Sequence, residues 1–489
     1  MSLDPSQQPL LGGPAQLSTA QVNQPLALTA KEQEHLRSYI RKCDRRLLLY
    51  LCIGYATDSL NKMALANAKI AGLTDDLDLR GYDINAALGA YYLGSFLFQL
   101  PSNLLLKRAQ PRYWLSAIMF FWSVATIATS LVAGARQLAW CRFLFGAVQA
   151  GYSTGSLYYI SYWYPRDMVR RRMGFFFASA GIGGIFVGPL CSLLSLVDLS
   201  WAVRPWQLIF VVIGAISLTW SLFGPLVLED YPDSATFISD DERLLIARIM
   251  AAQNTVASDR RISRRQVVMS LRDYKIALWM LVDFCANAAT QVNGMFGPTI
   301  IASQGYSAPV AQALSALTNF MAFSGMASIA YIAQAVGGSA YAIMVSNAVT
   351  IGGFLLALFA TGNGYRMLAL FLFSFASPQP AAHGPSWAMA NQQGSTKPAM
   401  AAAMTSAVGG LGPLATAFVY RDRDKPAFVL GHSVCLAMTV MCLVATVTLR
   451  GVLDRENKSR DCRRLDISEM TQDEVLDLAD NHPDFRYKL

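Results

Sequence analysis

Residues 45–70 of the chain read RRLLLYLCIGYATDSLNKMALANAKI. Two arginines lead into an apolar run, and an acid and a base, Asp58 and Lys62, lie in the middle of it. A helix crosses the hydrocarbon core of a bilayer with about 20 mainly apolar residues. The stretch therefore predicts a membrane-spanning helix that carries a pair of opposite charges near its middle.

The rest of the chain repeats this apolar pattern. Of the 489 residues, 54% are hydrophobic and 15% are charged, whereas soluble proteins carry about 25% charged residues. The pattern predicts an all-α membrane protein with twelve transmembrane helices in two halves of six. The predicted spans lie near 47–67, 83–105, 112–132, 138–163, 173–196, 206–228, 275–300, 308–334, 339–361, 366–390, 399–420 and 427–450.

Two features divide the spans into halves. The longest internal gap is charged and polar, and SDDERLLIARIM at 239–250 within it predicts an amphipathic helix capped by Ser239. GIGGIFVGPL at 181–190 and AVGGLGPLAT at 407–416 indicate an internal repeat, with a transport pathway between the repeats. The predicted parts are an N-terminal tail at 1–46, a half at 47–228, a central loop at 229–274, a half at 275–450 and a C-terminal tail at 451–489.

The charged loops predict orientation and exclude several classes of protein. Lysine and arginine cluster before span one and after spans two, four, six and twelve, which places both termini and the central loop in the cytoplasm. Residues 1–30 are polar and predict disorder. Basic residues scattered between spans do not favour nucleic-acid binding. The cysteines form no CxxC pair and no nucleophile–base pair is visible, so we expect no cofactor and no enzyme.

Ten short stretches, spread in order along nearly the whole chain, carry a family resemblance. They include QLPSNLLLKR at 99–108, RFLFGAVQAG at 142–151, YWYPRDMVRRRMGFFF at 162–177 and HPDFRYKL at 482–489. Together they resemble the allantoate-permease-like branch of the major facilitator superfamily, the fungal anion:cation symporters. The resemblance implies a twelve-helix fold, alternating access to a central cavity, and inward, proton-coupled carriage of small organic anions or vitamins.

Several positions depart from the pattern of that branch. At the end of span one the usual acid is Asn61 and the usual arginine is Lys62, the usual acid of span four is Gln149, and the usual glutamate of span six is Ile213. Because these family charges are missing, the substrate class and the coupling of the family cannot be carried over unchanged.

Span one still holds an acid, one turn before position 62. Asp58 and Lys62 are spaced i, i+4, so both lie on one helix face. An ion in the centre of a bilayer costs several kcal/mol unless it is paired or faces water. We expect Asp58 to carry a proton or to order Lys62, and Lys62 to bind an anionic group. The alternative is an ion pair that only holds the helix in place.

Span four places Arg142 and Gln149 on one face, seven residues apart. A guanidinium suits carboxylates because its planar fork binds them through two hydrogen bonds. Both residues are candidates for substrate contact, together with Asn61. The alternative for Arg142 is a structural contact between helices.

Span seven carries a polar stripe of Asp283, Asn287 and Gln291 at four-residue steps. Lipid does not accommodate such a stripe, so it faces a cavity or a neighbouring helix. Asp283 is a candidate for proton coupling, and Asn287 and Gln291 are candidates for substrate binding. Hydrogen bonds between helices are the alternative.

Span ten holds prolines at 378, 380 and 385, which predict a broken helix lining a cavity. His383, Trp387 and Asn391 follow at i, i+4 and i+8. His383 suits proton exchange because an unperturbed histidine has a pKa of about 6.5, and all three are candidates for substrate binding. The alternative is a neutral histidine bonded to a neighbour. Further candidates for stacking are Tyr91, Tyr92, Tyr158 and Tyr159.

These observations predict a secondary active transporter that moves a small organic solute by alternating access. We expect an anionic substrate, coupled protons, and a monomer that spans the plasma membrane. One alternative is an exporter of a fungal secondary metabolite, favoured by the missing family charges and by a Gly-x-x-x-Gly-Pro stretch at 184–189. A second alternative is a nutrient sensor derived from a transporter.

Overall fold

A computed structural model describes residues 28–106, 109–197, 203–252, 264–336, 338–359, 361–393, 396–462, 480 and 485–488. All regular elements in these residues are helical. Most of the N-terminal stretch predicted to be disordered lies outside the described residues, as do parts of the predicted central loop and C-terminal tail.

The first part of the chain forms ten α-helices. Their bounds are α1 Ala30–Cys43, α2 Leu49–Ala68, α3 Thr74–Asp76, α4 Asp83–Leu106, α5 Pro111–Thr129, α6 Ala135–Gln149, α7 Tyr152–Trp163, α8 Arg166–Leu196, α9 Pro205–Val227 and α10 Asp240–Ala252. Five-residue π-helical turns flank α2, at Asp44–Leu48 and Lys69–Leu73, and Pro232–Ser234 forms a 3₁₀ turn.

The second part also forms ten α-helices. Their bounds are α11 Arg264–Arg272, α12 Tyr274–Gln291, α13 Gly297–Ala302, α14 Ala308–Val336, α15 Ser339–Phe359, α16 Asn363–Ala376, α17 Pro378–Ala390, α18 Lys397–Gly409, α19 Gly412–Ala417 and α20 Val429–Cys462. A π-helical turn at Val292–Phe296 joins α12 to α13, and Asp422–Asp424 is a 3₁₀ turn.

The helices are consistent with twelve spans, although several predicted spans are broken into two helices. Spans four, seven, ten and eleven correspond to the pairs α6/α7, α12/α13, α16/α17 and α18/α19. Four uninterrupted stretches of the described residues are long and apolar enough to cross a membrane by length and composition, namely Arg171–Leu196, Pro205–Val227, Ser339–Phe359 and Val429–Asp461. The remaining predicted spans are interrupted by breaks, or they contain polar residues that lower their mean hydropathy.

Glycines of the internal repeat allow close contacts between helices. A Cβ at Gly183 in α8 would overlap the Ala56 carbonyl of α2. A Cβ at Gly412, at the start of α19, would overlap the Phe284 carbonyl of α12. The fifth span of each predicted half therefore packs closely on the first span of the same half, backbone against backbone. Small residues allow such close packing of membrane helices.

Two helices outside the spans brace the first half. Ser239 caps α10 as predicted and forms a capping box with Glu242, because Glu242 N donates to Ser239 Oγ at 3.3 Å and Ser239 N donates to Glu242 Oε2 at 3.1 Å. The Lys42 ammonium, at the end of α1, lies 2.8 Å from the Glu242 carboxylate. The sequence prediction missed α1, although Thr29 and Glu32 form a second capping box at its start.

Candidate functional site

The predicted ion pair of span one is confirmed. Residues 49–68 form one unbroken helix, and the Lys62 Nζ atom lies 2.7 Å from Asp58 Oδ2. The Asp58 side chain is 1% exposed and that of Lys62 is 25% exposed. Each charge therefore offsets the burial of the other, while the lysine keeps an open side.

Gln149 extends this pair to two further helices. Its amide nitrogen donates to Asp58 Oδ2 at 3.3 Å, and its amide oxygen accepts a hydrogen bond from the Tyr91 hydroxyl at 3.0 Å. The network therefore joins α2, α6 and α4. The second carboxylate oxygen, Asp58 Oδ1, is buried and has no hydrogen-bond partner, so it can still accept a proton or a donor group.

An aromatic ring lies beside the ammonium group of Lys62. Its nitrogen lies 5.7 Å from the centroid of the Tyr55 ring, a separation at which a cation is attracted to the face of the ring. The Tyr55 ring stacks on Phe176 of α8 with centroids 4.4 Å apart. Tyr55 was not among the predicted site residues, although it lies seven positions before Lys62 on the same helix face.

Arg142 lies beside the same network but holds no carboxylate. Its guanidinium lies 5.8 Å from the Phe145 ring and 5.0 Å from the Phe210 ring. The residue is 3% exposed, and its Nε and Nη2 atoms have no hydrogen-bond partner. The Phe145 ring stacks in turn on Tyr91 at 5.5 Å. Arg142, Tyr91, Gln149, Asp58 and Lys62 thus form one contiguous group, which we call the polar cluster.

Asn61 is not part of that cluster. Its side-chain amide donates to the Thr57 carbonyl at 2.7 Å and to Ser217 Oγ of α9 at 2.6 Å. The residue is fully buried. In this geometry the Asn61 side chain joins α2 to α9. The partly exposed polar side chain in this part of the helix is that of its neighbour, Lys62.

Asp283 occupies a different environment from Asp58. It is 2% exposed, and its Oδ1 atom has no hydrogen-bond partner. A Cβ at Gly384 in α17 would lie 3.0 Å from that oxygen, and a Cβ at Gly409 in α18 would overlap the other carboxylate oxygen. No cation pairs with Asp283 among the residues that the structure describes. An unpaired carboxylate is costly to bury in a membrane, so an acid at this position is a candidate functional residue.

The rest of the span-seven stripe lies along the same helix. The Asn287 side chain donates to the backbone carbonyl of Asp283 at 2.9 Å and lies beside the carboxyl group. Gln291, at the end of α12, is partly exposed and reaches toward Gly294 in the π-helical turn. A Cβ at Gly294 would lie 3.1 Å from the Met63 Cε atom, so this turn meets α2.

The predicted break in span ten is confirmed. Helix α16 ends at Ala376 and α17 begins at Pro378. The Ser377 carbonyl at the break accepts a hydrogen bond from Thr290 Oγ1 of α12 at 2.7 Å. His383 lies in α17 and is partly exposed. The prolines therefore break the helix at a point where a side chain of α12 donates a hydrogen bond to the backbone.

Trp387 and Asn391 lie away from that break, at the end of α17. The Trp387 indole donates to the Lys488 carbonyl at 2.8 Å, and the Asn391 amide donates to the same oxygen at 3.0 Å. They are 2% and 0% exposed. The structure therefore places both side chains, one and two turns after His383, against a bound segment of the chain.

No metal site is present in the described parts of the chain, where no group of three or more His, Cys, Asp or Glu side chains is placed to hold an ion.

Comparison with known proteins agrees with this architecture. The family model described as Major Facilitator Superfamily matches residues 51–418. The major facilitator-type transporter hxnP of Emericella nidulans is 26% identical over 470 residues, which cover 94% of this chain and 94% of that protein. A putative tartrate transporter of Agrobacterium vitis is 24% identical over 287 residues, covering 59% of this chain and 65% of that protein.

A solved structure shows the same fold. The D-xylose-proton symporter aligns with a TM-score of 0.62 at 14% sequence identity, covering 84% of this chain and 97% of that chain. The all-helical membrane fold predicted from the sequence is thereby confirmed, and so is the prediction that the protein is not an enzyme. This chain belongs to the major facilitator superfamily and is a multi-pass membrane transporter.

Proposed function

We propose that this transporter carries a small organic anion together with protons. The observation that carries the proposal is the charge balance of the polar cluster. Lys62 and Arg142 supply two cations, whereas Asp58, which pairs with Lys62, is the single carboxylate of the cluster. A solute carboxylate would neutralise the remaining positive charge and occupy the unused donors of Arg142.

Two further points support an anionic substrate. The short sequence stretches resemble the fungal anion:cation symporters, and one relative is described as a putative tartrate transporter. Tartrate is a dicarboxylate, and a dicarboxylate can span two cations. A ring-bearing acid is also compatible with the cluster, because the partly exposed Tyr55 ring lies beside Lys62.

Proton coupling is assigned to Asp283, with His383 as its partner in α17. The buried carboxyl of Asp283 has no cation to hold it in the ionised form among the described residues. Movement of α17 or α18 off the carboxyl would admit water and allow it to release a proton. Asp58 can join the exchange when an anion draws Lys62 away from it.

Contacts between the halves support a proposal for which side of the transport pathway is closed. Gln312 of α14 donates to the Asn67 carbonyl at the end of α2, at 3.1 Å. Asn85 of α4 donates to the carbonyls of Ala417 and Tyr420. These helix ends lie on the side predicted to be extracellular. They support a state that is closed to the outside, in a protein with cytoplasmic termini at the plasma membrane.

The Gly-x-x-x-Gly-Pro stretch has a structural explanation and does not favour export. A Cβ at Gly184 would lie 3.1 Å from the Asn319 side chain, and one at Gly188 would overlap the Gln312 carbonyl. The stretch thus brings α8 against α14 across the two halves. No contact of the described residues specifically favours a sensor.

The test is uptake into proteoliposomes. A panel of mono- and dicarboxylates that includes tartrate is offered under an imposed inward proton gradient. We expect at least one of these acids to accumulate in response to the gradient. We expect Lys62→Met to lower that uptake at least about tenfold. The matched control is Lys458→Met, at a side chain that is 74% exposed, which should retain uptake. Accumulation of neutral sugars alone would overturn the assignment of an anion.

A further inference from the structure

A short distal segment of the chain docks on the ends of four helices. This distal segment comprises Asp480 and Phe485–Lys488 in the described residues, and it contacts α12, α17, α18 and α20. It contains the FRYK letters of the terminal stretch that carried part of the family resemblance. The proposed transport mechanism uses none of these residues.

The side chains of two asparagines bind the backbone of two successive residues of the segment. Asn457 of α20 donates to the Tyr487 carbonyl at 2.9 Å and accepts from the Tyr487 N–H at 2.8 Å. Asn391 donates to the Lys488 carbonyl at 3.0 Å and accepts from the Lys488 N–H at 2.6 Å. Each side-chain amide therefore satisfies both polar groups of one residue, which is how an extended peptide is recognised through its main chain.

Tyr487 anchors the segment through its side chain. It is 3% exposed. Its hydroxyl accepts from Lys275 Nζ at 2.7 Å and from Arg460 Nη2 at 2.9 Å, and it donates to Asp480 Oδ2 at 2.8 Å. The Arg460 guanidinium lies 4.6 Å from the centroid of the same ring. A buried aromatic residue with a fully bonded hydroxyl is typical of a specific anchor.

Ion pairs also hold the distal segment against the starts of α12 and α18. Asp480 pairs with Lys397 at the start of α18 and lies 3.6 Å from Lys275 at the start of α12. Lys397 also lies 2.8 Å from Asp273. Burial raises the pKa of the Asp480 carboxyl, but Lys397 and Lys275 outweigh burial and hold that pKa below its usual value of 3.8. These ion pairs therefore persist at physiological pH.

The segment is connected to Asp283 through two tryptophans. The Trp387 indole binds the Lys488 carbonyl at 2.8 Å, and the Trp387 ring meets the Trp279 ring edge-on at 5.7 Å. Trp279 lies one helical turn before Asp283 in α12. Trp387 lies one turn after Gly384, which covers Asp283 from α17.

We propose that the distal segment is an intramolecular latch that holds α17 against α12, so that Gly384 covers the Asp283 carboxyl. The segment acts as a peptide ligand with an aromatic–basic–aromatic–basic sequence, and the four helix ends act as its receptor. Its residues position the helices and touch neither substrate nor proton. The effect on transport rests on the proposed function, whereas the docking and the helix packing do not.

Release of the latch can be measured on the purified full-length chain without any transport. The variant Asn391→Ala with Asn457→Ala removes the backbone recognition, and Asn363→Ala at the start of α16 is the matched control. We expect trypsin to cut after Arg486 at least about tenfold faster in the double variant than in the wild type or the control, because bound backbone does not fit a protease. We also expect amide hydrogen exchange in α17 to quicken while exchange in α5 is unchanged.

Transport then reports whether the latch matters for turnover. We expect the double variant to lower the maximal rate about fivefold with KM within about twofold, since a loosened half slows the conformational step and leaves the solute contacts intact. If that variant does not fold, Tyr487→Phe tests the same point with the loss of one hydroxyl. Equal trypsin cleavage in the wild type and the variants would overturn the latch. So would release of the segment with unchanged exchange in α17, or release with an unchanged maximal rate.

Discussion

The Lys62 ammonium lies 2.7 Å from the Asp58 carboxylate one turn away on the same helix, and that carboxylate also accepts a hydrogen bond from Gln149. The lysine is partly exposed and the aspartate is buried. Asp58 is therefore the fixed member of the pair, and Lys62 is the member that a solute can reach. An anion that binds Lys62 competes directly with Asp58.

Changes to this pair should separate a structural role from a transport role. Breaking a buried pair leaves one charge without compensation, at a cost of about 3–5 kcal/mol. We expect Asp58→Asn or Lys62→Met alone to lower abundance or transport. We expect Asp58→Asn combined with Lys62→Met to recover abundance while transport stays lost, as measured by membrane expression and uptake. Near wild-type uptake in the double variant would show that the pair serves only the fold.

The glycines around Asp283 should differ in their tolerance of a methyl group. Gly409→Ala would drive a Cβ into the Asp283 carboxylate, whereas Gly384→Ala brings one to 3.0 Å of it. We expect Gly409→Ala to lower thermal stability more than Gly384→Ala. Gly410→Ala is the control, because its Cβ would meet nothing closer than a carbonyl of its own helix at 3.4 Å. Asp283→Ala combined with Gly409→Ala should regain stability but not proton-coupled uptake.

His383 should affect transport more than folding. It lies in α17 directly before Gly384, on the helix that the prolines separate from α16. We expect His383→Ala to lower uptake several-fold between about pH 5 and pH 8 with unchanged abundance, because an exchangeable proton is lost. Full uptake by this variant over that range would remove His383 from the mechanism.

The brace between α1 and α10 should weaken in acid. Burial raises the pKa of Glu242, but the hydrogen bonds from Lys42 and from Ser239 outweigh it, so the pKa lies below the usual 4.5. A group with a depressed pKa in the folded state contributes stability above its unfolded pKa and loses it as pH falls through the folded value. Glu242→Gln should therefore lower the melting temperature at about pH 7, and this effect should shrink progressively as the pH falls below the usual pKa of 4.5. An equal effect above and below that pKa would contradict the ion pair.

Topology can be tested in the stretch between α10 and α11. Clusters of lysine and arginine predict that this stretch is cytoplasmic. An epitope tag inserted after Ser258 should bind antibody only in permeabilised cells. Labelling of intact cells would contradict two halves of six spans with a cytoplasmic connection.

The sequence alone was enough to establish the features that depend on local periodicity and composition. The apolar runs determined the membrane class, because the hydrocarbon core accepts little else. The i, i+4 spacing was sufficient for the pair of Asp58 and Lys62, because an α-helix fixes that separation. Proline chemistry likewise located the break at Ser377, and the capping residues located the start of α10.

Tertiary structure decided which partner each polar side chain meets. Gln149 and Asn61 both carry an amide in a span, yet one binds Asp58 and the other binds Ser217, because their faces meet different helices. Trp387 and Asn391 continue the stripe of His383 in sequence, but a segment about a hundred residues later occupies them. Side-chain amides and indoles accept many partners, so only the packing of distant helices selects one.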